Sequence, residues 1–231
     1  MNDVRHNVPK LYVIRFFKNL IPAYVIERLF WEQRGMTIQM VVYTEIIYAI
    51  TVVLLEIPTG IIADRWGRKR MIVLDCFLGC LELLILVFAT EFWHFAAAIF
   101  IAGIGRSVGS GSENALLYDS LLSSGDERSF EKCLGRLNAW DFTAAILAAL
   151  SGSLMAGLFG FELNYWVSVA GMFVSLCIAL MLAEPEVKSK SDSPIAVGEY
   201  VAASVSFFKR NYGVCLMLLS AMVTGAALNF I

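Results

Sequence analysis

EIPTGIIADRWGRKR, residues 56–70, closes a long apolar run with an acid, a tryptophan and four cations. The run before it, residues 40–63, and the one after it, residues 71–90, are each about 20 residues or more, enough to cross a bilayer core. Two such runs joined by a short charged turn make a transmembrane hairpin. Arg65, Arg68, Lys69 and Arg70 would hold that turn on the cytoplasmic side. Asp64 does not fit this role, because an acid at a helix C-terminus faces the wrong end of the dipole. It calls for a cation beside it, or for the N-terminus of another helix brought against it.

The rest of the chain has the same character. Its 231 residues are 58% apolar and only 16% charged, with a mean hydropathy of +0.70, where soluble domains run near a quarter charged. Six complete apolar runs are present: 11–30, 40–63, 71–90, 95–117, 139–160 and 163–182. A seventh begins near Val214 and continues to Ile231. They are too long and unalternating for barrel strands, so helices are the remaining way to cross lipid. The fold class expected is an all-α membrane protein, a six-helix transmembrane bundle followed by a seventh, terminal span.

Of the 18 Lys and Arg, 13 fall before the first run or in the loops after the second, fourth and sixth. The positive-inside rule then puts the amino terminus in the cytoplasm of a multi-pass protein of the cell membrane. Trp31, Trp93, Trp140 and Trp166 fall at run ends, where tryptophan favours the interface, and Trp66 falls in a loop. The polar start, MNDVRHNVPK, is not a cleavable signal. A net charge of −2 gives no reason to expect nucleic acid. Cys76, Cys80, Cys177 and Cys215 lie in apolar runs and Cys133 in a charged loop, with no histidine or second pair at metal spacing. No metal site and no cofactor are expected. The chain thus divides into three regions: a six-span bundle (1–183), a cytoplasmic linker (184–211) and the start of a second half (212–231). In the linker, Ser193-Pro194 and the spacing of Val197, Val201, Val205 and Phe208 suit an interfacial amphipathic helix, or else a linker with incidental periodicity.

The charged turn resembles the signature of the major facilitator superfamily, with Gly60, Asp64, Arg65, Gly67, Arg68, Lys69 and Arg70 at its seven defined positions. The resemblance implies a secondary active transporter that moves a small solute by alternating access, coupled to protons, with efflux favoured over uptake. It implies that this turn is a cytoplasmic latch between two halves, carried by Asp64 and Arg68, with Asp119 as the local partner. The alternative for the turn is a plain topology signal.

Arg15, Lys18 and Arg106 lie inside apolar runs, where a lipid-facing cation costs about 2.5–3.5 kcal/mol. They should instead face a wet cavity or paired carboxylates; snorkelling is open to Arg15 and Lys18. On a helical wheel Arg15, Lys18, Asn19 and Pro22 share one side of the first run, and Arg106, Ser110 and Glu113 share one side of the fourth. The resemblance implies that both spans line the substrate path. Glu27, Glu45, Glu56, Asp75, Glu82, Glu113 and Asp141 also lie within or beside runs. Glu27 and Glu113 are the candidates to carry a coupling proton, the alternative being interhelical salt bridges. About 120° of wheel separates Glu27 from Arg15 and Lys18, which predicts a different patch. Gly105 and Gly109, and Gly103, Ser107 and Gly111, form stripes of small residues suited to close helix contact or to a gliding one.

Two departures from the family pattern stand out. Arg106 is followed by Gly109 and Ser110 where the family has Gln and Gly, and the fifth run lacks the Gly-Pro of drug–proton antiporters. The family's two like halves lead one to expect that a carboxy-terminal half is missing here. The competing expectation is a non-transporting remnant, or a half-size subunit that needs a membrane partner. His6 and His94 fall on opposite sides of the membrane and no nucleophile–base cluster is visible, so an enzyme is not expected. The expected partners are the bilayer, a small-molecule substrate and the proton.

Overall fold

In a computed structural model of the chain, residues 6–185 are described, together with Val4 and Gly213. The chain divides into two compact units, Met1–Lys188 and Ser189–Ile231, and the helices between Asn7 and Leu180 belong to the first. The seventh run, the amphipathic stretch and Cys215 lie outside the described residues.

Among the described residues the only regular structure is helical. The 11–30 run, expected as one helix, is three: α1 (Asn7–Asn19), α2 (Pro22–Val25) and α3 (Glu27–Gln33). Pro22 causes the first break, since it has no amide hydrogen and its ring disfavours a helical residue before it. Ile21 accordingly sits at φ −119°, ψ 87°. The freed Ala23 N–H finds a side chain, donating to Ser168 Oγ at 3.1 Å, where lipid would offer no water. Within α1, the Ile14 carbonyl takes a further hydrogen bond from Ser175 Oγ at 3.2 Å.

Helix α4 (Ile38–Trp66) is capped by the Thr37 hydroxyl, and α5 (Arg68–Val87) follows after Gly67 alone. Trp66 thus ends a helix and is not a loop residue. The fourth run is also broken, into α6 (Phe92–Gly109) and α7 (Ser112–Ser123), with Gly111 left-handed at φ 74° between them. A short 3-10 turn leads into α8 (Phe130–Phe159), and Gly160 alone joins it to α9 (Phe161–Leu180). Because α8 starts well before the apolar run at 139, Cys133 lies buried on a helix, not in a loop. Cys76 and Cys80 are buried and Cys177 is exposed.

Four helical stretches are long and apolar enough to cross a membrane: Ile38–Trp66, Phe92–Ser123, Glu127–Phe159 and Phe161–Leu180. The other two runs fall short for identifiable reasons. The first is broken, and α5 carries Arg70, Asp75 and Glu82 along its length. Packing order runs α4–α6–α5–α9–α1–α8. Large apolar side chains point outward on the end helices, Ile46, Ile50 and Val53 from α4 and Phe142, Leu150 and Leu154 from α8. Such continuous apolar exposure is what lipid as solvent permits. Two buried apolar clusters close the ends of the bundle. One, around Phe30, Trp31, Phe95 and Tyr165, lies at the Arg34 end; the other, around Leu11, Ile72, Leu116 and Leu137, lies at the Gly67 end.

Candidate functional site

Between the two apolar clusters lies a cavity of about 680 Å³ whose lining includes Arg15, Lys18, Asn19, Glu27, Glu45, Asp75, Glu82, Arg106, Ser110, Glu113 and Asp141. Three cations and six carboxylates therefore share one space. Each cavity-facing candidate from the sequence is present in it.

The Gly67-side half of the cavity is an ion network. Glu113, buried in the first turn of α7, bridges two cations: its Oε2 lies 3.1 Å from Arg15 Nη1 and its Oε1 2.6 Å from Lys18 Nζ. Arg15 makes a two-pronged contact with Asp141, Nε to Oδ1 at 2.9 Å and Nη2 to Oδ2. Lys18 Nζ also meets Asp75 Oδ2 at 2.5 Å. Asn19 Nδ2 adds a hydrogen bond to Asp141 Oδ1 at 3.0 Å. Arg15 and Lys18 thus turn into the cavity and do not snorkel. Two cations hold three carboxylates, and removing one partner from such a buried group costs about 3–5 kcal/mol.

Asp75 owes its position to glycine. A Cβ on Gly109 would stand 2.3 Å from Asp75 Oδ2, whereas one on Gly105 would find Asp75 Oδ1 at 3.5 Å. The Gly105/Gly109 stripe is therefore a slot for a carboxylate from α5. The other stripe faces α4: a Cβ on Gly103 would meet Thr51 at 2.9 Å, and Thr59 Oγ1 donates to the Ser107 carbonyl at 2.9 Å. Gly111 belongs to neither, since it touches nothing and turns the chain.

The path of the chain corrects one helical-wheel expectation. Arg106, Ser110 and Glu113 are not on one continuous helix, because the chain turns at Gly111; the three still line the cavity. Ser110 Oγ donates to Glu56 Oε1 at 3.1 Å. Arg106 makes no ion pair among the described residues. Glu27 lines the same cavity as Arg15 and Lys18 but stands outside their ion network; the breaks at Ile21 and Ile26 reset the helical phase on the way to it. Beside it lie Glu82, 4% exposed and accepting from Tyr24 Oη at 3.1 Å, and Glu45, paired with Arg28 at 3.3 Å.

At the Gly67 end, Arg68 Nε lies 3.1 Å from Asp119 Oδ2. The Arg68 and Lys69 amides donate to Glu184 Oε1 and Oε2, each at 2.8 Å. Glu184 thus occupies the N-terminus of α5, where amides and dipole favour an anion. A Cβ on Gly67 would come within 3.0 Å of the Glu184 carboxyl group, and Gly67 has φ 98°, so glycine is required there twice over. Gly60 has open space around it, while Asp64, Arg65 and Arg70 are exposed and make no hydrogen bond or ion pair among the described residues. Asn7 ties the same end together, donating to Ser120 Oγ at 2.9 Å and the Ala183 carbonyl at 2.8 Å. His94 is structural: with Glu91 it forms the capping box of α6.

Sequence reasoning misses Glu45, Asp75, Glu82 and Asp141 as members of the site, and Glu184 altogether. The first four carry a usable signal, since a carboxylate within or beside an apolar run is rare without a function or a partner. Glu184, just beyond the sixth run, carries none.

The family model described as Major Facilitator Superfamily matches residues 12–231. Among curated proteins, the chain is similar to an "Uncharacterized transporter" of Buchnera aphidicola subsp. Schizaphis graminum, 29% identical over 136 residues, 59% of this chain and 33% of that protein. It is also similar to a second uncharacterized transporter, of Buchnera aphidicola subsp. Acyrthosiphon pisum, 27% identical over 132 residues, 57% of this chain and 32% of that one. The matched segment thus spans about a third of each relative's length. With a match over almost its entire length, and charged side chains turned inward among apolar helices, the chain belongs to the Major Facilitator Superfamily.

Proposed function

We propose that this chain forms the amino-terminal, six-span half of a proton-coupled secondary transporter that moves a small solute across the cell membrane by alternating access, exporting it. The amino terminus faces the cytoplasm, a cytoplasmic linker occupies residues 184–211, and the second half begins at 212. The observation that carries this reading is the Arg15–Lys18–Asp75–Glu113–Asp141 network on the cavity wall. Two cations are shared among these three carboxylates, and Arg106, the third cation of the cavity, makes no ion pair among the described residues, so a proton arriving on a carboxylate would compete with a shared cation contact. Glu113 touches both cations, so it is the group through which protonation would loosen the others.

The Arg68–Asp119 pair and the Glu184 cap support a latch role for the turn at residues 60–70. They brace it from within this half, and Asp64 stays exposed for a contact with the other. The family and the transporter-named relatives point to transport and not to enzymatic chemistry.

The test is accumulation of solutes from a small-molecule panel by everted vesicles, with and without an imposed pH gradient. Gradient-driven accumulation that Glu113→Gln abolishes, with binding retained, is expected. Accumulation indifferent to the gradient, or unchanged flux in Glu113→Gln, would refute the coupling.

A further inference from the structure

Midway along the fourth span, α6 gives way to α7 through a turn whose polar groups are provided for. Ser110 at φ −55°, ψ 120° and Gly111 at φ 74°, ψ −22° have the dihedrals of a type II turn. Thr59 Oγ1 donates to the Ser107 carbonyl at 2.9 Å, and Ser112 Oγ donates to the Val108 carbonyl at 3.1 Å, so the end of α6 does not depend on a continued helical ladder. Nothing stands within 4 Å of where a Gly111 side chain would be, so no neighbour clamps the turn.

Beyond the turn, α7 is held by charge at two places. At the cavity Glu113 meets Arg15 and Lys18. At the Gly67 end Asp119 meets Arg68, and Ser120 accepts from Asn7 at 2.9 Å. Arg15 also holds Asp141 of α8, and Lys18 also holds Asp75 of α5. Cys76 of α5 and Arg106 of α6 share the surroundings of Glu113. Both cations of α1 therefore keep a carboxylate when Glu113 becomes neutral, and α7 is the element that loses its anchor.

Position along the helix amplifies the release. Glu113 lies two residues beyond Gly111 and Asp119 eight, about 3 Å and about 12 Å along α7. A tilt about the turn thus carries Asp119 about four times as far as Glu113.

We infer that the Ser110–Gly111 turn is a hinge and α7 a lever, through which loss of the Glu113 charge displaces Asp119 and loosens its hold on Arg68 in the turn at residues 60–70. This inference rests on the transporter reading, and joins its proton site to its latch.

The test is a distance, measured by pulsed electron paramagnetic resonance on the full chain in nanodiscs with the native cysteines replaced. Nitroxide labels are placed at Ser123→Cys and Met181→Cys. Both positions are exposed at the Gly67 end, and Lys10 of α1 holds the Met181 carbonyl at 2.5 Å. Glu113→Gln should lengthen this distance by about 3 Å, the arc of a tilt of about 10° over the about 18 Å from Gly111 to Ser123. A second pair at the Arg34 end, Trp93→Cys with Leu158→Cys, should not change. Asp75→Asn, which leaves Glu113 both its cations, should leave the Ser123–Met181 distance as it is. No lengthening with Glu113→Gln, an equal change in the second pair, or the same lengthening with Asp75→Asn would overturn the inference. The link to Arg68 is read by thermal unfolding: Asp119→Asn should lower Tm less in the Glu113→Gln background than in the unaltered protein, and equal falls would overturn it. Amide exchange of the unaltered protein covers a Glu113→Gln variant that does not fold. Residues 115–123 should exchange together and at least tenfold faster than residues 96–109; equal protection across Gly111 would overturn the hinge. Glu113→Gln that abolishes gradient-driven flux without moving α7 would remove the lever and leave the proton coupling, whereas unchanged flux with α7 displaced would remove the coupling alone and bear out the lever.

Discussion

Gly109→Ala should be far more damaging than Gly105→Ala, though both glycines lie on one stripe of the same helix. The added methyl at 109 would stand 2.3 Å from Asp75 Oδ2 and 2.6 Å from its Cγ, well inside contact distance. Asp75 cannot swing away freely, because Lys18 holds the same oxygen at 2.5 Å. Either the ion pair opens or α6 backs off α5, and overpacking of this kind costs about 1–3 kcal/mol. At 105 the nearest atoms would be Leu78 Cβ at 3.4 Å and Asp75 Oδ1 at 3.5 Å, ordinary contacts. The helix-propensity gain of alanine, up to about 1 kcal/mol, should then make Gly105→Ala neutral or mildly stabilising. The assay is thermal unfolding in detergent. A loss of about 2 kcal/mol corresponds to a fall of about 4–8 °C in Tm for a domain of this size. Asp75→Ala should remove the conflict, so that Gly109→Ala costs under about 0.5 kcal/mol in that background. Equal effects at 105 and 109, or an undiminished cost with Asp75 removed, would refute the slot.

Other substitutions test the same geometry. Gly67→Ala should lower stability by about 1–3 kcal/mol through its positive φ and its contact with Glu184, and a Tm within about 1 °C of wild type, well inside the roughly 2–4 °C expected per kcal/mol, would contradict this. Glu184→Ala should cost about 0.5–1 kcal/mol, since its carboxylate is solvent-exposed; amide exchange at Arg68 and Lys69 should rise in the variant and elsewhere stay unchanged. Asp119→Asn opens the ion pair of a buried carboxylate with a half-buried guanidinium and should cost about 1–3 kcal/mol, with only weak dependence on salt; a loss that vanishes in high salt would contradict this. Arg15→Ala leaves Asp141 without a cation and Glu113 with Lys18 alone, and should cost about 3–5 kcal/mol, read as loss of folded protein on size exclusion.

Apolar run length and charge content together predict helix for every run between residues 11 and 182, because a backbone in lipid has few other solutions. Helical phase is harder to read. A helical wheel assumes an unbroken 3.6-residue period, and Pro22 and Gly111 each reset it, so the wheel does not show that Glu27 lines the same cavity as Arg15 and Lys18. Proline is visible in the sequence, but the direction of the chain beyond it depends on Ser168 and on the backbone of α8 at Gly152, both distant in sequence. The cations Arg15, Lys18 and Arg106 are readable as cavity residues because their cost in lipid leaves few alternatives. Which acids they meet is not, since Asp75, Glu113 and Asp141 come from three different helices. The acid seated on a helix N-terminus is Glu184, whereas the sequence points to Asp64; local spacing cannot tell two acids apart when one arrives from 116 residues away.

Central to the proposed transport is a water-filled cavity surrounded by the charged groups, with the end helices facing lipid. In a background with the five native cysteines replaced by serine or alanine, single cysteines at Asn19, Tyr48 and Asn114 test the cavity lining. Cysteines at Ile50 and Leu150 test the lipid face. Reaction with a membrane-impermeant, charged methanethiosulfonate is the measurement, made on vesicles of both orientations. Modification at the three cavity positions and none at the two outward ones is the predicted result. Equal reactivity of both sets, or protection of the cavity set alone, would contradict it.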